Sequence, residues 1–141
     1  MIGPKVAMPS PRDEREAYEL VTLRDNDTCQ RCLGNCGPIA RDHRRNRSQG
    51  GWTVIGNLQC LGLDCHTWKT EHPKDANEQG WGVPAWVHWR EWPARRWLRE
   101  GPGVTRLAWV RYLDKQDADG NWWVEISDEE ALYRIEGGVP F

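Results

Sequence analysis

Apolar and polar residues near the start of the chain repeat with the period of a helix. Ser10 stands where a helix cap is expected, Pro11 suits the first helical position, and Asp13 lies three residues after the cap. Apolar side chains then recur at spacings of three and four residues. The pattern predicts a helix over 11–24 with one apolar face packed against the rest of the fold.

Shorter apolar runs follow, separated by polar and glycine-rich segments. The stretch 39–47 predicts a short strand that continues into a loop, and turn residues at 48–51 end that loop. Residues 52–55 predict a second short strand, which would give a hairpin with a wide loop. A helix is expected over 65–69, ending near Pro73, because proline interrupts a helix interior.

The last part of the chain is rich in tryptophan and begins with a segment, 80–84, that has the composition of a linker. Alternating apolar residues at 107–113 and 122–126 flank an Asp-Gly turn signal and predict a β-hairpin. The acidic stretch that starts at Asp128 predicts a short helical turn or an acidic tail.

The length of 141 residues fits one domain with an extension. The elements predict an α+β fold with a flexible arm at 1–10, a first domain at 11–80 and a Trp-rich C-terminal extension at 81–141. No apolar run reaches the roughly 20 residues of a membrane-spanning helix, and the N-terminus lacks the apolar core of a secretory signal. We therefore expect a cytoplasmic protein with no membrane partner.

The formal net charge of −2 conceals an uneven distribution. Basic residues outnumber acidic ones over 24–69, and acidic residues dominate 112–141. A near-neutral total therefore does not exclude an anionic partner. Arginine is much commoner than lysine, and its guanidinium binds phosphate through two parallel hydrogen bonds. For the overall composition, a coding bias toward arginine is the simpler explanation.

Five cysteines without an export signal argue against a disulfide framework. Cys29 and Cys32 are separated by two residues, a spacing at which two thiolates reach one tetrahedral ion. Together with Cys60 and Cys65 further along the chain, they predict one structural zinc site. Cys36 is expected to be a free thiol, or a ligand in place of Cys32.

Polar residues lie between and after the cysteine pairs in a recognisable order. The order is Asp42-His43, Gly50-Gly51, Asn57-Leu58, Cys60, Cys65-His66 and Lys69. Over residues 15–85 the chain resembles the HNH endonuclease family, and more narrowly the small zinc-bearing HNH proteins that bacteriophages encode. The resemblance implies a ββα-metal module, similar to a treble clef, scaffolded by a four-cysteine zinc site. The gap of four residues between Cys60 and Cys65, where two is common, departs from the family pattern, as does an insertion that contains Cys36.

The resemblance and the chemistry of the side chains assign roles to four residues. His43 titrates near neutral pH and is expected to be the general base that removes a proton from the attacking water. Asp42 points to the opposite face if the two lie on a strand, so it is expected to hold a catalytic Mg²⁺ or Mn²⁺ together with His66. In the family, the residue that matches Asn57 braces the loop that carries the base, and in some branches it binds the metal. We favour bracing.

Further roles for histidines stay open at this stage. His66 directly follows Cys65 and is an alternative zinc ligand. His72 lies six residues after His66, on a different face of a helix, and is a weaker candidate for the catalytic ion. His88 is expected to be an ordinary surface or core residue.

Basic residues near the proposed catalytic group are candidates for DNA binding. They are Arg41, Arg44, Arg45, Arg47 and Lys69. Such residues would hold phosphates beside the scissile bond and would position DNA without reading its sequence; the alternative is a solvated, charged loop. The Trp- and Arg-rich stretch 86–99 also suits nucleic acid, although packing in the core is the commoner role of such tryptophans.

These expectations favour a metal-dependent HNH endonuclease that nicks or cuts DNA and, by resemblance, leaves 5′-phosphate and 3′-hydroxyl ends. Its setting would be the cytoplasm of a bacterial host, for example in phage DNA packaging. One alternative is a zinc-scaffolded DNA-binding module without catalysis. Another is a nuclease subunit that is active only with a partner such as a packaging terminase.

Overall fold

A computed structural model describes residues 7–137 and shows a small α+β fold with two antiparallel sheets. Its helices and strands in chain order are α1 (Pro11–Arg24), β1 (Ile39–His43), β2 (Leu58–Gly62), α2 (Leu63–Glu71), α3 (Pro73–Glu78), β3 (Ala94–Gly101), β4 (Val104–Tyr112), β5 (Trp123–Ile126) and α4 (Asp128–Ile135). Most of the predicted arm at 1–10 lies outside the described residues. Within them, no helix is long and apolar enough to cross a bilayer.

Helix α1 has the predicted bounds and the predicted cap. Asp13 N donates to Ser10 Oγ at 3.1 Å, and Ser10 N donates back to Asp13 Oδ2 at 3.0 Å. This reciprocal pair satisfies two backbone donors that a helix start leaves unpaired. The buried face of α1, with Ala17 and Val21, packs against β2 and the turn before it. The helix thereby covers one side of the hairpin.

Strands β1 and β2 form the predicted hairpin, but the second strand lies at 58–62 instead of 52–55. Residues 55–57 form a 3₁₀ turn that leads into β2. The register pairs Asp42 with Gln59 and His43 with Leu58, and α2 follows β2 without a loop. This helix is longer than predicted, and Pro73 begins α3, because proline fits the first helical position.

The predicted hairpin in the C-terminal part is confirmed as the antiparallel pair β4–β5, with Tyr112 opposite Trp123. Strand β3 adds a third strand on the other side of β4 and was not predicted, because arginines interrupt its apolar pattern. The acidic stretch after β5 forms helix α4, capped by Ser127.

The segment 80–84, predicted to be a linker, is buried along its whole length. Val83 N donates to Arg44 O at 2.9 Å, and Gln59 Nε2 donates to Trp81 O at 2.6 Å. An ion pair between Arg96 of β3 and Asp25, which follows α1, joins the sheet to the hairpin region. The segment is thus a packed part of the fold that connects two contacting regions.

Candidate functional site

Four cysteine sulfurs form a compact cluster next to the hairpin. The Sγ atoms of Cys29, Cys32, Cys36 and Cys65 all lie within 4.8 Å of one another; we call them the sulfur cluster. Among the described residues, this cluster is the one group of three or more histidine, cysteine or acidic side chains whose ligand atoms lie close enough together to hold one metal ion. Four cysteine sulfurs gathered this closely are the ligand set of a structural zinc site. The cluster is therefore consistent with zinc, although its membership differs from the predicted one.

Cys36 takes the place that was predicted for Cys60. A Cβ built on Gly62 would overlap the Sγ of Cys36, so the sulfur occupies the space that a side chain at position 62 would need. Position 62 is also where a gap of two residues before Cys65 would put a cysteine. The fourth sulfur of the cluster thus comes from the loop at Cys36, and the strand carries glycine at the position next to it.

Cys60 lies in the apolar core beneath α1 instead of in the sulfur cluster. It is fully buried and packs with Ala17, Val21 and Leu58. Burial raises the pKa of its thiol to about 12, and the nearby Asp25 carboxylate acts in the same direction. A thiol of this kind stays protonated and packs as a small apolar side chain.

Cys29 has the opposite environment. Burial alone would raise the pKa of its thiol, but backbone N–H groups of Gly62, Cys32 and Arg31 donate to the sulfur and lower the pKa to about 7. Arg31 Nη1 also lies 3.5 Å from the Sγ of Cys65. Donors that stabilise thiolate are what a zinc ligand requires, since the metal binds the deprotonated form.

A second cluster forms around the buried carboxylate of Asp42, which is 4% exposed. His66 Nδ1 donates to Oδ1 at 2.9 Å, while Lys69 Nζ and Gln59 Nε2 each donate to Oδ2 at 2.9 Å. Burial would raise the pKa of Asp42, but the hydrogen bond from His66 and the charge of Lys69 hold it below its ordinary value. The carboxylate is therefore ionised, and the same hydrogen bond raises the pKa of His66.

His43 lies next to Asp42 on β1, and its ring belongs to another face of the hairpin. Its Nε2 lies 2.8 Å from Thr53 Oγ1, and Tyr18 contacts the ring edge to face. Burial lowers the pKa of His43, against the opposing effect of the Asp42 carboxylate. The imidazole is therefore neutral at neutral pH. If Nε2 carries the proton, it donates to Thr53 and leaves the lone pair on Nδ1.

The side chain of Asn57 braces the loop between the strands. Its Nδ2 donates to Arg45 O at 3.0 Å and to Trp52 O at 2.9 Å, while its Oδ1 accepts from Arg45 N at 2.8 Å. The loop is so tight that a Cβ on Gly51 would overlap the carbonyl of Arg45. These contacts tie Arg45 to Trp52 across the loop, and Asn57 has no hydrogen bond to Asp42 or His66 among the described residues.

Two of the five predicted phosphate contacts are buried instead. Arg44 is 1% exposed and donates to three backbone carbonyls, those of Gly56, Trp89 and Trp92. Lys69 is 8% exposed and divides its donors between Asp42 Oδ2 and His43 O. Both cations are paired with groups inside the fold. The prediction that Arg44 and Lys69 contact DNA is therefore wrong, and both are structural residues.

The other three predicted phosphate contacts keep some access to solvent. Arg41 and Arg47 are exposed, and Arg45 is half-buried. Arg47 Nη2 lies 3.5 Å from Glu14 Oε2, and its side chain is still 61% exposed. These three guanidinium groups are the basic side chains of the predicted set that an anion can reach.

A cleft of about 190 Å³ opens beside the Asp42 carboxylate; we call it the Asp42 cleft. Its lining includes Asp42, His66, Lys69, Asn46, Gln49 and Trp86. His43 is outside this lining, and its partner Thr53 lines a separate, wider groove of about 690 Å³. His72 is exposed, stacks on Trp68 and is also outside the cleft.

Gln59 and Thr53 belong to these clusters and were missed at the level of sequence, and Cys36 was considered there only as a substitute for Cys32. Gln59 and Thr53 are polar residues inside apolar runs, which is a signal of a buried polar partner. The glycine at position 62 was the corresponding signal for Cys36. A scan against protein-family models and searches of curated proteins and of solved structures found no match to this chain.

Proposed function

We propose that this protein is a metal-dependent HNH-type endonuclease built on a ββα-metal module. One observation carries the proposal: an ionised, buried Asp42 is shared by His66 and Lys69, while the adjacent His43 is neutral and held by Thr53. The two side chains are neighbours at the end of one strand but have different environments. They therefore suit different roles in phosphodiester hydrolysis, the histidine as general base and the carboxylate as ion ligand.

In this proposal His43 is the general base. A neutral imidazole can accept the proton of a water molecule that attacks phosphorus, and its low pKa keeps it neutral at neutral pH. Thr53 fixes the ring, and Asn57 fixes the loop that carries Thr53. In this proposal the scissile phosphate would lie across the end of β1, between His43 and the Asp42 cleft.

Asp42 and His66 are the residues that would hold the divalent ion. His66 Nδ1 and Asp42 Oδ1 lie 2.9 Å apart, and both would face one ion once the proton between them had left. Such an ion, when bound, stabilises charge on the scissile phosphate and on the leaving 3′ oxygen. Lys69 offsets the second oxygen of Asp42, so the carboxylate stays ionised without the ion.

The sulfur cluster is proposed to bind the structural Zn²⁺, with Cys29, Cys32, Cys36 and Cys65 as ligands. Because Cys65 and His66 are adjacent on α2, fixing one also fixes the start of the helix that carries the other. DNA is the proposed substrate, with Arg41, Arg45 and Arg47 as the accessible phosphate contacts. Phage packaging proteins remain proposed partners.

The test is a nicking assay on supercoiled plasmid with Mg²⁺ or Mn²⁺. His43→Ala should lower the rate by about 10²–10⁴, the usual contribution of a general base, while zinc content stays at the wild-type level. His72→Ala is the matched control, because His72 is exposed and outside the cleft. Asp42→Asn should instead weaken binding of the divalent ion, so that cleavage needs a higher concentration of Mg²⁺ or Mn²⁺.

Absence of nicking by the wild-type protein with either ion would overturn the nuclease proposal and favour a DNA-binding module. Equal rates for His43→Ala and His72→Ala would remove His43 as the base. If excess Mg²⁺ restored His43→Ala fully, His43 would be acting through the ion.

A further inference from the structure

Trp86 is unusually exposed. Its side chain is 84% accessible, and the chain's other tryptophans, all of which fall within the described residues, are buried or half-buried. A scattered apolar residue on a surface needs no explanation by itself. Trp86, however, lies on the rim of the Asp42 cleft, which also contains the proposed ion ligands.

The backbone holds this side chain in position from both sides. Val83, three residues earlier, is buried in an apolar cluster with Trp89 and Trp92, and its N–H donates to Arg44 O at 2.9 Å. Val87 N donates to Pro84 O at 3.2 Å, so residues 84–87 form a turn with Trp86 near its tip. A large aromatic ring on an anchored turn is presented to solvent at low entropic cost.

Amide side chains provide polar groups for the same cleft. Asn46 and Gln49 are exposed, line the cleft, and belong to the loop that Asn57 braces. Neither side-chain amide has a hydrogen bond within the described part of the chain. Amides donate to and accept from the edges of bases, and aromatic rings stack on the faces of bases.

We propose that Trp86 stacks on an unpaired nucleobase next to the scissile phosphate, so that the preferred substrate is DNA with a single-stranded or melted nucleotide at the cutting site. This inference rests on the proposed function and names its substrate class. A base inside a duplex has both faces covered by its neighbours, so an indole reaches a base face only where the nucleotide is unpaired or flipped out. The Asp42 cleft, at about 190 Å³, has room for one such group beside Trp86.

The binding test uses labelled single-stranded oligonucleotides without a divalent ion, each with one abasic nucleotide at a successive position. Wild-type protein should lose about tenfold in affinity at one position, where the stacked base is missing. Trp86→Ala should bind the intact strand about tenfold more weakly and should no longer sense that abasic position. Trp86→Phe should retain most of the affinity, because it keeps a ring.

Leu23→Ala is the control, since Leu23 is 77% exposed on α1 and does not line the cleft. It should behave like wild type at every abasic position. If Trp86→Ala bound as wild type does, or kept the same sensitivity to the abasic position, the stacking proposal would be wrong. Loss of affinity for duplex alone would overturn it too, in favour of a wedge into paired DNA.

Cleavage separates this proposal from the nuclease proposal. Wild-type protein should cut a duplex with one unpaired nucleotide faster than the same duplex fully paired, and Trp86→Ala should make the two rates equal. Nicking without any difference between the two duplexes would leave the nuclease intact and remove the stacking role. An abasic effect on binding in a protein that does not nick DNA would keep the stacking role and remove the nuclease proposal.

Discussion

The region from α1 to α2 and the region from β3 to β5 are built from different chemistry. Most buried polar side chains of the described residues lie in the first region, including Asp25, Asp42, Asn57 and Gln59. The second region packs through Ala94, Val110 and Tyr112 and through pairing along three strands. Burying polar groups costs free energy unless each has a partner, so the first region depends on particular contacts, and the second depends mainly on area.

The largest expected effect is loss of the sulfur cluster. Cys36→Ser should lower zinc content and expose β1, β2 and α2 to hydrogen exchange before β4, because structural zinc contributes about 10–16 kcal/mol in small zinc modules. Cys60→Ser should keep full zinc and lose only about 1–3 kcal/mol from a hydroxyl in an apolar site. Elemental analysis and hydrogen exchange measure both effects.

The opposite result for these two variants would support the ligand set predicted from sequence, which contains Cys60 in place of Cys36. Full zinc in Cys36→Ser together with loss of zinc in Cys60→Ser would mean that Cys60 binds the ion. Equal loss of protection in both regions would show that they unfold as one unit.

Next in size is Arg44, whose side chain joins the first region to the segment just before β3. Arg44→Ala should lower the free energy of unfolding by about 3–5 kcal/mol, because buried carbonyls of Gly56, Trp89 and Trp92 lose their donors. Arg47→Ala, at an exposed position, should change it by less than about 0.5 kcal/mol. Urea denaturation of both variants measures the difference. Equal stabilities would mean that the buried contacts of Arg44 do not stabilise the fold, and the earlier prediction of a DNA contact would stand again.

The smallest effect concerns the pH dependence of the contact between His66 and Asp42. The folded-state pKa of His66 is raised, so its stabilising contribution is full below the unfolded pKa of about 6.5 and is lost as pH rises through the folded pKa. Asp42 has a lowered pKa, so its contribution is lost only as pH falls through that folded value, below about 3.9. The imidazole is 43% exposed, and solvent screens the pair.

The stability difference between wild type and His66→Ala, measured without Mg²⁺ or Mn²⁺, should therefore be larger at about pH 5.5 than at about pH 8.5. His72→Ala should show no such dependence, since His72 makes no ion pair among the described residues. A difference that stayed constant over this range would mean that the Asp42 contact does not depend on protonation of His66.

Local signals predicted local structure well. Ser10, Pro11 and Asp13 predicted both the start of α1 and its cap, because a capping box is a contact between neighbours in sequence. The β4–β5 hairpin followed from alternation around a turn for the same reason. Strand β3 was missed because its arginines contact residues far along the chain, as Arg96 contacts Asp25.

The candidate site was predictable in part. Asp42 contacts His66 through a 2.9 Å hydrogen bond, whereas His43 faces Thr53 on another side of the hairpin. The roles of Arg44 and Cys60 were not accessible, because an arginine beside the site is interpreted as basic surface whether its donors meet phosphate or carbonyl groups. Spacing of cysteines likewise does not reveal that Gly62 leaves room for Cys36.

The exchange of Cys60 for Cys36 has a consequence for the order of folding. Three sulfurs of the cluster lie within the short segment 29–36, and the fourth, that of Cys65, comes from a distant part of the chain. Closing short loops costs less entropy than closing long ones, so this segment can gather an ion before the hairpin exists. If the cluster binds zinc as proposed, Cys65 would complete the shell when α2 docks, and β2 and α2 would assemble onto a metal-bound loop.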